Sequence, residues 1–146
     1  MLANNVIPLK CTEDSFYRGW IEILTPFHKL QPRAQDVAAR ILLQYFKLRD
    51  RIIGDDEDDA EKQELIRDLL WSKKSKQDMM LSLGMTPEHF QMVIGKLKKA
   101  RFLSDDEEIN PRYIPNKLQD DRRFMLQIVY DWSSQSSPIK NESKQA

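Results

Sequence analysis

The sequence predicts a mainly α-helical protein that carries one small β-ribbon. Apolar residues recur at spacings of three and four through residues 33–52, 60–71, 73–83 and 87–101, which is the period of helices with one buried stripe. A Gly84-Met85-Thr86-Pro87 break divides the last two runs, and Phe102-Leu103, an acidic stretch and Ile109 then read as strand, turn and returning strand. With 146 residues, 40% hydrophobic and 32% charged, the composition fits one domain over residues 1–132. Ser, Gln, Lys and Asn dominate residues 133–146, so a disordered tail is expected there.

Residues 1–15 mix Asn4-Asn5, Pro8 and Glu13-Asp14 and predict an extended arm or short strand. Ser15 is the expected cap of a short helix through Leu24, on which Phe16, Tyr17 and Trp20 form an aromatic face. Such a face covers a core or joins two copies; Phe16, Tyr17 and Trp20 are the candidate oligomer interface. A two-proline turn containing His28 follows, and Pro32 or Arg33 opens a long helix to about Ile52. Val37, Ala38, Ile41, Leu42, Tyr45, Phe46, Leu48 and Ile52 give that helix a broad apolar stripe, so it is the expected scaffold. Gly54 ends it. The five acids Asp55–Asp59 lack the alternating ligands and central glycine of a calcium loop, so they read as a solvated linker whose charge favours the next helix N-terminus. That helix, about Ala60–Trp71, is an insertion expected to bury Leu65, Ile66, Leu69 and Leu70.

The helix pair is the most specific feature. Lys73–Leu83 places Met79, Met80 and Leu83 on one face, and Gly84 supplies a left-handed stop. Thr86 can cap the next helix, Pro87 fits its first position, and Met85 can staple onto Phe90. Phe90, Val93, Ile94 and Leu97 predict its buried stripe, leaving Glu88, Gln91, Met92, Gly95, Lys96 and Lys99 outward. Asn110–Pro115 is expected to run extended because of its prolines. Arg123–Trp132 alternates in period two and predicts a last strand, paired with the ribbon or the N-terminal arm.

Charge is segregated although the net charge is zero. Residues 55–71 carry two Lys/Arg against eight Asp/Glu, and residues 72–103 carry seven against two, which makes the helix pair the candidate anion-binding part. One cysteine, Cys11, excludes an internal disulfide, and two histidines make a poor metal set. Glycine-rich phosphate loops, nucleophile elbows and paired metal-spaced histidines are missing from the sequence, so neither catalysis, a cofactor, a metal nor a small-molecule substrate is expected. No apolar stretch approaches membrane-spanning length and no signal segment is recognisable, so a cytoplasmic protein is expected, in a host cytoplasm or a virion if phage-encoded.

Leu83-Gly84-Met85-Thr86 with Phe90, Ile94, Leu97 and Lys98–Leu103 resembles the winged helix-turn-helix, here with an extra helix inserted. Leu30–Ala38 looks like the start of the scaffold helix in regulators of the multiple-antibiotic-resistance type, and Ile109–Pro115 is similar to small winged-helix proteins of crAss-like tailed phages. The resemblance covers about residues 30–115 and implies binding of double-stranded DNA in transcription or replication control. Lys73, Lys74 and Lys76 would then meet phosphate, Gln91, Lys96 and Lys99 would face the major groove, and Arg112 would add a flanking contact. The acids Asp105–Glu108 stand where a wing normally offers cations. They leave open the alternative of a protein–protein assembly module, such as a virion or neck component.

Overall fold

Six α-helices and one 3₁₀ turn make up the regular structure among the described residues, 9–54, 57–116 and 131–133, of the computed structural model. The chain divides into two units, Met1–Pro115 and Asn116–Ala146. All of these elements lie in the first. In the second, Ser133 donates from N and Oγ to Asp131 Oδ1 at 2.9 and 2.6 Å. The expected arm before residue 9, most of the expected strand Arg123–Trp132 and the tail beyond residue 133 lie outside the described residues.

Helix α1 spans Glu13–Ile23. Thr12, not Ser15, is its cap: Ser15 N–H donates to Thr12 Oγ1 and Thr12 N–H donates back to Ser15 Oγ, a reciprocal box in which Ser15 holds the third helical position. Glu13 and Asp14 then sit in the first turn, where the helix dipole favours them. Tyr17 and Trp20 are buried in the first unit's own core and Phe16 is half-buried. Tyr17 stacks on Phe46 with centroids 5.5 Å apart, and Trp20 Nε1 donates to the Tyr113 carbonyl at 2.8 Å across 93 residues of sequence. Of the two uses the sequence allows for this aromatic face, Tyr17 and Trp20 serve the core.

The short α2, Thr25–His28, ends at Lys29 in the left-handed region, φ 56°. His28 is buried and fully engaged. The Leu30 N–H donates to its Nδ1 at 2.9 Å, so the ring proton is on Nε2, which donates to the Ile21 carbonyl at 2.7 Å. His28 is thus the hydrogen-bonded turn residue the sequence suggests.

Helix α3, Pro32–Ile52, is the scaffold. Val37, Ala38, Ile41, Leu42, Phe46 and Leu48 are buried as its pattern requires, Tyr45 and Ile52 of the same stripe are only half-buried, and Ala34, Gln35, Ala39 and Leu43 are buried in addition. At 100° per residue these positions cover roughly 240° of the helix. It packs on α1, α4 (Ala60–Leu70), α5 (Lys73–Leu83) and α6 (Pro87–Lys99). Gly54 leaves it at φ 55°. Asp59 caps α4 through Lys62 N–H, so the acidic linker does serve the following N-terminus. Ile66 and Leu70 are buried, but Leu65 and Leu69 are 47% and 39% exposed. The apolar stripe of α4 is wider than the contact that α3 and α5 offer it, which corrects the expected burial of all four.

Helix α5 begins and ends where the sequence places it, and α6 begins there too but ends at Lys99, two residues short of the expected 101, because Arg101 turns left-handed at φ 65°. Ser72 caps α5, Gly84 closes it at φ 64°, and Thr86 caps α6 through the His89 N–H. Met85 and Phe90, the two ends of the expected staple, are both buried. Arg33 Nη2 donates to the Leu83 carbonyl, which satisfies one of the acceptors that a helix C-terminus leaves open and ties the turn to the start of α3. Gln44 Nε2 donates to the buried Ser75 Oγ at 3.2 Å, a second tie from α3 to α5.

Beyond α6 the ribbon is reduced. Leu103 and Ile109 form one isolated antiparallel bridge, and no strand is formed among the described residues. Pro111–Tyr113 is a 3₁₀ turn, not an extended segment. Asn110 caps it by accepting from the Arg112 N–H at 3.0 Å, and Pro111 holds the first position, where its missing donor costs nothing.

Replacing Gly84 tests the left-handed turn. A Cβ there meets no atom within 4 Å, so the cost is backbone strain alone. G84A should lower unfolding free energy by about 1–2 kcal/mol, and G84N by less, because Asn tolerates this conformation. Urea denaturation with an unchanged m-value is the readout; equal stability of G84A and the parent would exclude the left-handed stop.

Candidate nucleic-acid interface

Four buried side chains fix α6. Phe90, Val93, Ile94 and Leu97 lie on one face and are each no more than 2% exposed; such burial is worth roughly 1.5–3 kcal/mol apiece. Gly95 lowers helix propensity by only about 1 kcal/mol, so packing decides the helix. The opposite crest is Glu88, Met92, Gly95 and Lys99, with Gln91 on one shoulder and Lys96 on the other, and all six are exposed. Lys96 and Lys99 make no ion pair among the described residues. Lys98, nearer the core, pairs with Glu107 at 3.4 Å.

Helix α5 brings a second set of cations. Lys73 and Lys74 are exposed in its first turn and Lys76 is half-buried; none has an ion-pair partner among the described residues, and the first turn contains no acid. This placement opposes the helix dipole, at a cost near 0.3–1 kcal/mol for each cation at the terminus. The lysines at the end of α6 instead complement their dipole, so helix stability alone explains their residue type. It does not explain Lys73 and Lys74. Arg112 is exposed on the 3₁₀ turn, outside the helix pair, and its neighbour Tyr113 is held by Trp20.

The acidic turn is closed by its own hydrogen bonds and held in place by side chains from outside it. Ser104 N–H donates to the Glu108 carbonyl and Glu107 N–H to the Ser104 carbonyl, both at 2.9 Å, with Glu107 at φ 65°. Ser104 Oγ accepts from the amides of Asp106 and Glu108. Three side chains then hold the turn from outside: Trp71 Nε1 donates to the Glu107 carbonyl at 2.8 Å, Arg67 pairs with Glu108 at 3.3 Å, and Lys98 takes Glu107. The turn is therefore braced by α4 and α6. Two of its four carboxylates are neutralised within the chain, and Asp105 and Asp106 stay exposed.

A groove beside this brace is lined by Tyr45, Gln63, Glu64, Arg67, Ile109 and Ile114 among others. Burial foremost, with Asp58 adding to it, pushes the Tyr45 hydroxyl above its ordinary pKa, against the opposing effects of Arg49 and Gln63. Tyr45 remains neutral at physiological pH and donates to Gln63 Oε1 at 3.4 Å. The groove gathers no group of three or more His, Cys, Asp or Glu able to hold a metal among the described residues.

Comparison of the chain with protein-family models, characterised proteins and solved structures finds no match. No helix among the described residues is long and apolar enough to cross a membrane.

Removing the indole donor tests the brace. W71F deletes the hydrogen bond to Glu107 while keeping most of the ring, and should cost about 1 kcal/mol and speed amide exchange of Ser104, Glu107 and Glu108. Unchanged exchange at those amides would show that Trp71 does not hold the turn.

Proposed function

We propose that the protein binds double-stranded DNA as a winged helix-turn-helix, with α5 and α6 as the pair, α6 as the reader and the Ser104–Glu108 turn as a reduced wing. In this role it acts in control of transcription or replication. The observation that carries the reading is the placement of Lys73 and Lys74, exposed and unpaired at the end of α5 where its own dipole opposes them. A phosphate there removes the repulsion and gains the free amides of the first turn as well. Lys96 and Lys99, in the last turn of a helix separated from α5 by the Gly84 turn, supply cations on the second member of the pair. Gln91 can make a bidentate contact to adenine, and Met92 an apolar contact to a thymine methyl.

Gly95 supports the same face. Its Cβ would meet nothing within 4 Å and its φ lies outside the left-handed region, so nothing inside the described chain requires glycine in mid-helix. Close approach of a bound surface does. A second reading, a protein-assembly module, is favoured by the apolar surface left open on α4, where Leu65 and Leu69 stand among carboxylates.

Fluorescence anisotropy with labelled duplex at several salt concentrations tests the proposal. Affinity should fall steeply with salt, and K96A/K99A should weaken binding and flatten the slope of log K against log salt by about 0.9 for each phosphate no longer neutralised. G95A should stabilise the free protein by up to about 1 kcal/mol yet weaken binding. Absence of binding at low salt, or a slope unchanged by K96A/K99A, would refute the role given to α6.

A further inference from the structure

We infer that the outer face of α4 is a docking surface for the α5–α6 face of a second copy of this chain. On α4 the buried side is Ile66 and Leu70; Asp68, Glu61 and Glu64 form the opposite crest and Leu65 and Leu69 one flank of it. The three carboxylates have no ion-pair partner among the described residues, and the two leucines, one turn apart, are 47% and 39% exposed. Single exposed leucines need no explanation. The leucine pair is bordered by Glu61 and Asp68 on its outer side and by the half-buried Lys62 on its inner side, with Glu64 across the crest; this net acidic face disfavours phosphate and lipid headgroups and accepts an apolar surface edged by lysine.

The chain itself displays two such surfaces, one on each helix of the pair. Leu81 on α5 is 83% exposed between Lys74 and Asp78, and Met92 on α6 is 54% exposed between Glu88 and the two lysines Lys96 and Lys99, which leaves both faces net basic or neutral and the pair as a whole basic. Acidic and basic halves on a chain of zero net charge, with a pI near 6.7, leave no long-range repulsion to keep copies apart. Pairing α4 with α4 would oppose like charges, so the contact is between unlike faces. The same lysines cannot meet DNA and a second copy at once, so self-association competes with the DNA binding proposed above without depending on it.

Charge reversal tests the contact. In sedimentation velocity the parent should self-associate with rising protein concentration and dissociate with rising salt. E61K/E64K/D68K alone and K74E/K96E/K99E alone should be monomeric. Mixed together they should form a one-to-one complex, because the intact acidic face of the second meets the intact basic face of the first. Formation of that complex also shows that both variants fold. L65S/L69S should weaken parental association. A parent that stays monomeric at its solubility limit, or a mixture that stays monomeric although circular dichroism shows both variants helical, would overturn the inference. So would variants that associate as the parent does. Duplex binding separates the two proposals: E61K/E64K/D68K should retain it, and its loss of self-association with DNA affinity intact sets the α4 contact apart from the reader helix.

Discussion

The burial of α3 on roughly two-thirds of its circumference is the constraint on which the remaining elements of the first unit depend. A helix with one apolar stripe can be covered by a single neighbour. A 21-residue helix that buries Ala34, Val37, Ile41 and Leu48 on one side and Gln35, Ala39, Leu43 and Phe46 on the other needs several, and α1, α4, α5 and α6 all pack on it. Its polar residues set directions. Gln35 donates to the Leu30 carbonyl and Thr25 Oγ1 and accepts from Arg18, while Arg33 and Gln44 reach α5 at its two ends. Groups on α3 thus tie α5 at both ends, and removing Gln44 costs more than its hydrogen bond is worth, because the buried Ser75 hydroxyl is left without that partner.

Much of this is legible in the sequence because its causes are local. Gly84, Thr86 and Pro87 specify a stop, a cap and a first helical position within four residues, and the Phe90–Leu97 stripe specifies a buried face by period alone. The same local rules mislead in two places. Thr12 ahead of Glu13-Asp14 is a capping signal equal to that of Ser15, and the box uses both. Asn110-Pro111 is a cap followed by a first position, the logic of Thr86-Pro87 in miniature, although proline also favours extended chain. The contacts made at distance are not legible. Trp71 to Glu107, Arg67 to Glu108 and Trp20 to Tyr113 join residues far apart in sequence, and no periodicity reports them. Period alone also places Leu65 and Leu69 inside; their exposure depends on how much of α4 its neighbours reach.

Charge is segregated within the first unit as clearly as apolar residues are. The acids of the Ser104–Glu108 turn, which on sequence grounds oppose a DNA-facing wing, are partly consumed by Arg67 and Lys98 and held by Trp71. Among the described residues, cations without an ion-pair partner outnumber such acids on α5 and α6, and Glu61, Glu64 and Asp68 are acids without one on α4. The proposed DNA binding and the inferred self-contact both draw on the α5 and α6 lysines, so the two proposals compete for the same surface.

The most direct test is an amide chemical-shift titration of the isotopically labelled protein with a short duplex at low salt. Outward α6 and the cationic start of α5 predict perturbations at Lys73, Lys74, Gln91, Met92, Gly95, Lys96 and Lys99 that saturate with duplex, while Leu65, Asp68 and Leu69 on α4 shift only as far as dilution of the free protein shifts them. Perturbations centred on α4 and the acidic turn, or none on α6, would contradict it.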